Sequence, residues 1–260
     1  MSEEKQREVM RRILQELLDF EPGADATDVI GPVHTLIREI TGVEDLYKEE
    51  KEEATKEALA LYPQLKEMVK NSADPFETAV RLSVAGNIID YGALDGFDLQ
   101  KTIRRVLEQP FALDDVEALR SAIEQAEQIL FLADNAGETV FDRVLIEELD
   151  KPVVYVIKGG PIINDATIED ARVAGLDKVA EVISCGAACA GTVLPRCSAE
   201  FLQRYHAAEL IIAKGMGNYE TLCNEKTPIF FLLQVKCDLV ARDLAVPKGS
   251  IVCAKNPNTK

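Results

Sequence analysis

At 260 residues, with 47% apolar and 28% charged side chains, the chain has the composition of an ordinary globular protein with enough apolar material for a sizeable core. Its formal charge of −16, from 45 acidic against 29 basic residues, opposes nucleic acid and anionic membrane surfaces as partners. No apolar run approaches the roughly 20 residues that cross a bilayer, and the polar start from Met1 to Glu8 predicts a cytoplasmic protein without a secretory signal.

Residues 1–128 read as helical. Val9, Ile13, Leu14, Leu17 and Leu18 recur at helical spacing, and Glu21-Pro22-Gly23 ends that segment. Val33, Leu36, Ile37 and Ile40 mark a second helix, closed by Gly42. Tyr47 to Leu61 reads as a charged helix in which Glu49, Glu50, Lys51, Glu52 and Glu53 form a solvated face. Further helices are predicted from Pro63, from Pro75 with Asp74 as cap, from about Asp98 to Glu108, and from Asp114 to Gln128. From Ile129 the pattern changes to short apolar runs: Ile129–Ala133, Val153–Ile157, Val179–Ile183, Leu210–Ala213, Ile229–Leu233 and Ile251–Ala254. Helical stretches near 138–149, 167–174, 198–206 and 236–244 separate them. Buried runs joined by crossover helices predict βαβ units and a mostly parallel sheet. The expected fold is therefore α/β. A three-layer αβα domain over 129–260 would follow a helical N-terminal domain over 1–128.

In open parallel sheets, ligands bind beyond the carboxyl ends of the strands. Three of the runs end in polar loops there. After the first come Asp134 and Asn135, then Gly137 and Glu138 leading into a helix. A carboxylate and an amide oxygen side by side suit a hard divalent ion, and N–H groups opening a helix suit a phosphate. A plain turn with a cap would need only one of the two side chains. After the second run, Lys158, Gly159, Gly160 and Pro161 turn the chain, and Asn164 and Asp165 open a helix at about Ala166, Asp165 offering a second carboxylate. The third gives Lys214 as a point charge for phosphate, with Gly215 and Gly217 permitting close backbone approach. Asn87 and Asp90, after the helix-weakening Gly86, read as a wall of the helical part reaching into the site. Gly191-Thr192 could form a further phosphate-facing turn or simply start a helix. In so acidic a chain, a phosphate site requires a local cation and well-placed lysines.

All six cysteines, Cys185, Cys189, Cys197, Cys223, Cys237 and Cys253, lie in the last third, and without a secretory context they read as reduced thiols. Cys185, Cys189 and Cys197 could approach one another, but no usual four-ligand zinc spacing is complete, so buried thiols are expected. Only two histidines, His34 and His206, are present, which argues against a His-rich zinc site and against Ser-His-Asp or Cys-His catalysis. A haloacid-dehalogenase-type phosphatase wants a second Asp two residues after the first, where this chain has Ala136. A dinucleotide-binding turn needs Gly-x-Gly-x-x-Gly, which Asp134-Asn135-Ala136-Gly137-Glu138 does not supply.

Together, Asp134-Asn135-Ala136-Gly137-Glu138, Asn164-Asp165-Ala166-Thr167 and Lys214-Gly215-Met216-Gly217-Asn218-Tyr219-Glu220 resemble the metal-dependent damage-control phosphatases, a family long catalogued as a domain of unknown function. Gly86-Asn87-Ile88-Ile89-Asp90 and Lys236-Cys237 strengthen the likeness, which is closest to the compact prokaryotic and archaeal branch. The resemblance implies that Asp134, Asn135 and Asp165 hold the metal, and that the Gly217-Asn218 segment and Lys236 contact a phosphorylated substrate. In other branches that lysine lies in Arg-Thr-x-Lys. Here the stretch is Leu233-Gln234-Val235-Lys236, so their sugar-phosphate preference does not carry over. Members of the compact branch tend to begin with a Cys-x-x-Cys segment, which this chain lacks.

The expected activity is metal-dependent hydrolysis of the phosphate monoesters of small metabolites, with Mg²⁺ or Mn²⁺ as cofactor and Co²⁺ or Ni²⁺ also compatible. Asn87, Asp90, Asn164, Lys214, Gly217, Asn218 and Lys236 are the expected substrate-binding residues. Lys214 and Lys236, with N–H groups near Gly137 and Gly217, would neutralise charge on the phosphoryl group. Glu138 would orient water or substrate. The same pocket would also serve a non-catalytic regulatory protein that binds metal and phosphometabolite, and the sequence leaves that alternative open.

Overall fold

The computed structural model describes residues 2–18, 26–89 and 99–259. Among these residues, seven strands form one sheet: β1 (Leu113–Asp114), β2 (Ile129–Leu132), β3 (Val153–Ile157), β4 (Glu181–Ser184), β5 (Ile211–Lys214), β6 (Ile229–Gln234) and β7 (Ile251–Lys255). Their spatial order is β1-β7-β6-β5-β2-β3-β4. All neighbours are parallel except β6 and β7, which are antiparallel. The fold is thus α/β with a mostly parallel sheet, as the alternating runs predict.

The apolar runs follow from burial on both faces. β2, β3 and β5 are buried along their whole length, and side chains alternate between two cores. Ile129, Phe131, Val153, Tyr155, Ile212 and Phe230 face one core, while Leu130, Leu132, Val154, Val156, Ile211 and Phe231 face the other. The first core is covered by α3 (Lys48–Lys70), α4 (Pro75–Ile89), α5 (Leu99–Glu108), α6 (Val116–Gln125), α7 (Thr139–Ile146) and α8 (Ile168–Val173). The second lies under α9 (Ala199–Ala207), α10 (Gly215–Leu222) and α11 (Asp238–Asp243). Most of one helical layer is therefore built from residues that precede the first long strand. Helices α1 (Glu3–Leu18) and α2 (Ala26–Thr41) pack on each other. Among the described residues, no helix is long and apolar enough to cross a membrane.

Several elements depart from the sequence expectation. Pro63 does not separate two helices. It sits inside α3, where Ala58, Leu65 and Val69 on both sides join the same core; that burial offsets the roughly 3 kcal/mol an interior proline costs. Lys51 does not lie on a solvated face: it is buried and pairs with Asp45 and Asp170, each at 2.8 Å. The pairing ties α3 to the first turn of α8, where Asp170 also caps the Thr167 N–H. β1 interrupts the stretch read as helical by pairing with β7. The fourth strand starts at Glu181 because a 3-10 turn over Leu176–Lys178 takes up the residues before it. Lys214 ends β5, and Gly215-Met216-Gly217 is the start of α10 rather than a loop. The end of α1 at Glu21-Pro22-Gly23 and the start near Asp98 lie outside the described residues.

Candidate active site

β2 and β3 are neighbours, so their polar loops leave from adjacent strand ends. Backbone hydrogen bonds then join the loops. Ala166 N–H donates to Asp134 O at 2.8 Å and Ala136 N–H to Asn164 O at 2.9 Å, making an isolated antiparallel bridge between Asn135 and Asp165. Lys158 N–H donates to Ala166 O at 3.0 Å and fixes the loop to the strand. Between these anchors Ile163 turns at φ +45°, a conformation that β-branched residues rarely adopt. Asn135 and Asp165 are buried as a result, while Asp134 keeps a partly exposed edge.

A second layer of contacts orients two carboxamides. Asn87, on α4, donates through Nδ2 to Asp134 Oδ2 at 2.9 Å and Glu138 Oε1 at 2.5 Å. Asn135 donates through Nδ2 to the same two oxygens, at 3.2 and 2.6 Å. Glu138 Oε2 accepts from Lys214 Nζ at 2.9 Å. Lys214 also donates to Asp142 Oδ1 at 2.6 Å and Ser83 O at 2.9 Å. Asp142 is completed by the Ser83 hydroxyl at 2.7 Å and the Tyr155 hydroxyl at 2.8 Å. Glu138, Asp142 and Lys214 have no exposed surface. Burial opposes the charge of Lys214, but Asp142 and Glu138 outweigh it and hold its pKa above the ordinary value.

Two glycines permit this arrangement. A Cβ on Gly86 would stand 3.0 Å from Phe141 Cβ, so glycine there lets α4 close on α7 and brings Asn87 within reach. Gly215 has φ +76°, and a Cβ on it would fall on the Asp134 carboxylate. Only glycine leaves room for that carboxylate at the start of α10.

Above this layer the hydrogen bonding is incomplete. Among the described residues, Asn87 Oδ1 and Asp165 Oδ2 are buried and accept no hydrogen bond, a situation that ordinarily costs about 1–3 kcal/mol per group. Lys158 Nζ stands 3.4 Å from Asp165 Oδ2 and donates to Gly191 O at 2.5 Å. Burial, then the charges of Glu138 and Asp165, push the Asp134 pKa well above 3.8. Burial likewise raises Asp165 to about 6, partly offset by Lys158. At the rim, Lys236 follows β6, is partly exposed, and donates through Nζ to Asn87 O at 2.5 Å. Among the described residues, no group of three or more His, Cys, Asp or Glu side chains is arranged to hold a metal. A cation here would need the amide oxygens as well as the carboxylates.

The family model of the damage-control phosphatase ARMT1-like domain matches residues 1–252. The chain belongs to this family. It is 41% identical over 236 residues to an uncharacterized protein of Methanocaldococcus jannaschii, covering 86% of this chain and 77% of that protein. It is 46% identical over 189 residues to the damage-control phosphatase PH1575 of Pyrococcus horikoshii, covering 70% of this chain and 65% of that protein. A damage-control phosphatase of Archaeoglobus fulgidus is 39% identical over 229 residues, 85% of this chain and 79% of that protein. The crystal structure of the DUF89 family protein from Pyrococcus horikoshii superposes with a TM-score of 0.85 at 34% identity, covering 98% of this chain and 91% of that one.

In this damage-control phosphatase domain, the sequence-predicted residues fall into three groups. Asp134, Asn135, Asp165 and Asn87 come together at the β2 and β3 ends, with Lys236 at the rim, whereas Glu138, expected to orient water or substrate, has no exposed surface and its oxygens hold Asn87, Asn135 and Lys214. Lys214, expected to meet phosphate, instead has no exposed surface and lies beneath them, its ammonium taken up by Glu138, Asp142 and Ser83. Asn218 is equally buried: Nδ2 donates to Ala133 O at 3.0 Å and Lys214 O at 2.8 Å, and Oδ1 accepts from Thr192 Oγ1 at 2.7 Å. It ties α10 to β2. Gly217 packs its backbone against Gly191 within a helix, and Asn164 contributes its backbone carbonyl to Ala136. Asp90 lies outside the described residues. Lys158 is the site-facing lysine that the sequence reading passed over, although a lysine directly after a wholly apolar run was a visible signal. Ser83, Asp142 and Tyr155 carried no such signal. All six cysteines are free thiols; Cys197, and Lys158 nearby, lower the Cys185 thiol below its ordinary value against the effect of burial.

Proposed function

We propose that this chain is a divalent-metal-dependent phosphatase that hydrolyses phosphate monoesters of small metabolites. The observation that carries the reading is the pair of buried acceptors without a hydrogen bond, Asn87 Oδ1 with no partner and Asp165 Oδ2 with only Lys158 at 3.4 Å, beside carboxylates whose charge burial disfavours. A divalent cation answers both needs at once. The damage-control phosphatase names of the Pyrococcus and Archaeoglobus relatives support the same reaction class.

The residues present fit such an ion. Asp134, Asn135 and Asp165 offer hard oxygen donors of the kind that Mg²⁺ and Mn²⁺ prefer. When bound, the ion polarises a phosphoryl oxygen and lowers the pKa of water. The chain's own side chains supply the rest. Asn135 spends both amide hydrogens on carboxylates, which leaves Oδ1 as its remaining acceptor. Glu138 is a positioning residue, since its oxygens hold Asn87, Asn135 and Lys214. Lys236, partly exposed at the rim, is the point charge for the phosphoryl group. Lys158 faces Asp165 and holds the Gly191 turn. Cation and lysine thereby meet the anionic substrate locally within a chain of net charge −16.

The test is release of inorganic phosphate from a panel of phosphate esters with EDTA, Mg²⁺, Mn²⁺, Co²⁺ or Ni²⁺, alongside a folded Asp134→Ala variant. Release that needs metal and falls by about 10²–10³-fold or more in the variant is expected. A folded protein that releases no phosphate from any ester with any metal would sink the reading in favour of a binding protein.

A further inference from the structure

We infer that Asn87, carried by the helical layer, supplies an oxygen ligand to the cation through Oδ1. The inference rests on the metal-dependent reading above and adds to the strand-end residues one from a different part of the fold. Three observations lead to it.

The first is the orientation of the amide. Asn87 Nδ2 lies against Asp134 Oδ2 and Glu138 Oε1, and Glu138 is ion-paired with Lys214. An ion-paired carboxylate oxygen only accepts, so the NH₂ group must face it and the carbonyl oxygen must face away. The second is that this carbonyl oxygen is buried and has no donor. The other such acceptor at the site among the described residues is Asp165 Oδ2, on an expected metal carboxylate, with Lys158 Nζ at 3.4 Å. The third is the parallel with Asn135, whose Nδ2 spans the same two carboxylate oxygens. If Asn135 presents its carbonyl oxygen to a cation, Asn87 is held by the same two oxygens to do likewise. The chain Asp142–Lys214–Glu138 beneath them is the rigid support, fully buried and fully bonded. Gly86 supplies the close α4–α7 approach that puts Asn87 there.

Mn²⁺ titrated into the full-length metal-free protein, followed by the electron paramagnetic resonance signal of free Mn²⁺, tests this without turnover. Asn87→Ala and Asn87→Leu should weaken Mn²⁺ by about 10–100-fold. A second measurement uses wild-type protein alone, so it does not depend on how the variants fold. With ¹³C-labelled asparagine carboxamides, electron–nuclear double resonance of bound Mn²⁺ should detect two coupled carboxamide carbons, from Asn87 and Asn135. A single coupled carbon, or Asn87 variants that bind Mn²⁺ as tightly as wild type while Asp134→Ala does not, would overturn the inference and leave the metal reading standing. Failure of wild type itself to bind Mn²⁺ would overturn both.

Discussion

Lys158 and Lys214 occupy equivalent places in the chain, each at the carboxyl end of a buried parallel strand and each followed by glycine. Their surroundings differ completely. Around Lys214 the accounts close: Glu138, Asp142, Ser83 and Tyr155 satisfy one another. Around Lys158 they do not: among the described residues Asn87 Oδ1 accepts no hydrogen bond, and Asp165 Oδ2 has only the Lys158 ammonium at 3.4 Å. A buried charge network with every member paired is scaffold. One left short of positive charge and of donors is where a ligand belongs.

The contrast can be broken by paired substitutions. Lys214→Met strands two buried carboxylates and should destabilise the metal-free protein by about 3–5 kcal/mol. Asp134→Asn removes a charge that burial already disfavours, so it should leave metal-free stability unchanged or raise it. Urea denaturation in EDTA measures both. Equal losses in the two variants would mean that the two regions do not differ as described.

Strand alternation explains why Lys214 lies beneath the site. Lys214 shares its face of β5 with Ile212, and Ile212 belongs to the core under α4 and α7. The pleat therefore sends the Lys214 side chain into the helical layer instead of toward solvent. Period-2 counting along Ile211–Lys214 was available in the sequence, but the depth of the helical layer at that point was not. Asp134, Asn135 and Asp165 were legible because polar residues cut off wholly apolar runs at strand ends. Their bridging through Ala136 and Ala166 was not, since it depends on which strands are neighbours. Lys51 shows the same limit from the other side. Its charged neighbours suggested a solvated helix, and only the approach of α8 buries it against Asp170.

A smaller effect comes from a feature far from the site that the sequence did reveal, and it serves as a control for the comparison. Asp74 caps α4, accepting from Glu77 N–H at 3.0 Å and pairing with Arg120 at 2.5 Å. The backbone hydrogen bond from Glu77, together with Arg120, lowers its pKa below 3.8 against the opposing effect of burial. A depressed carboxylate stabilises the fold above its unfolded pKa and loses that contribution as pH falls through the folded value. Asp74→Ala should therefore cost about 1 kcal/mol near neutral pH. The difference from wild type should shrink progressively below about pH 4. A cost that persists unchanged into strong acid would show that the cap acts through packing and not through its charge.

Anomalous diffraction from crystals soaked in Mn²⁺ will show whether the β2 and β3 ends form a cation site. One strong peak is expected at the carboxylates of Asp134 and Asp165, within reach of the Asn135 amide oxygen. A protein that saturates with Mn²⁺ yet shows no peak there, or shows it beside Cys185, Cys189 and Cys197 instead, would contradict it.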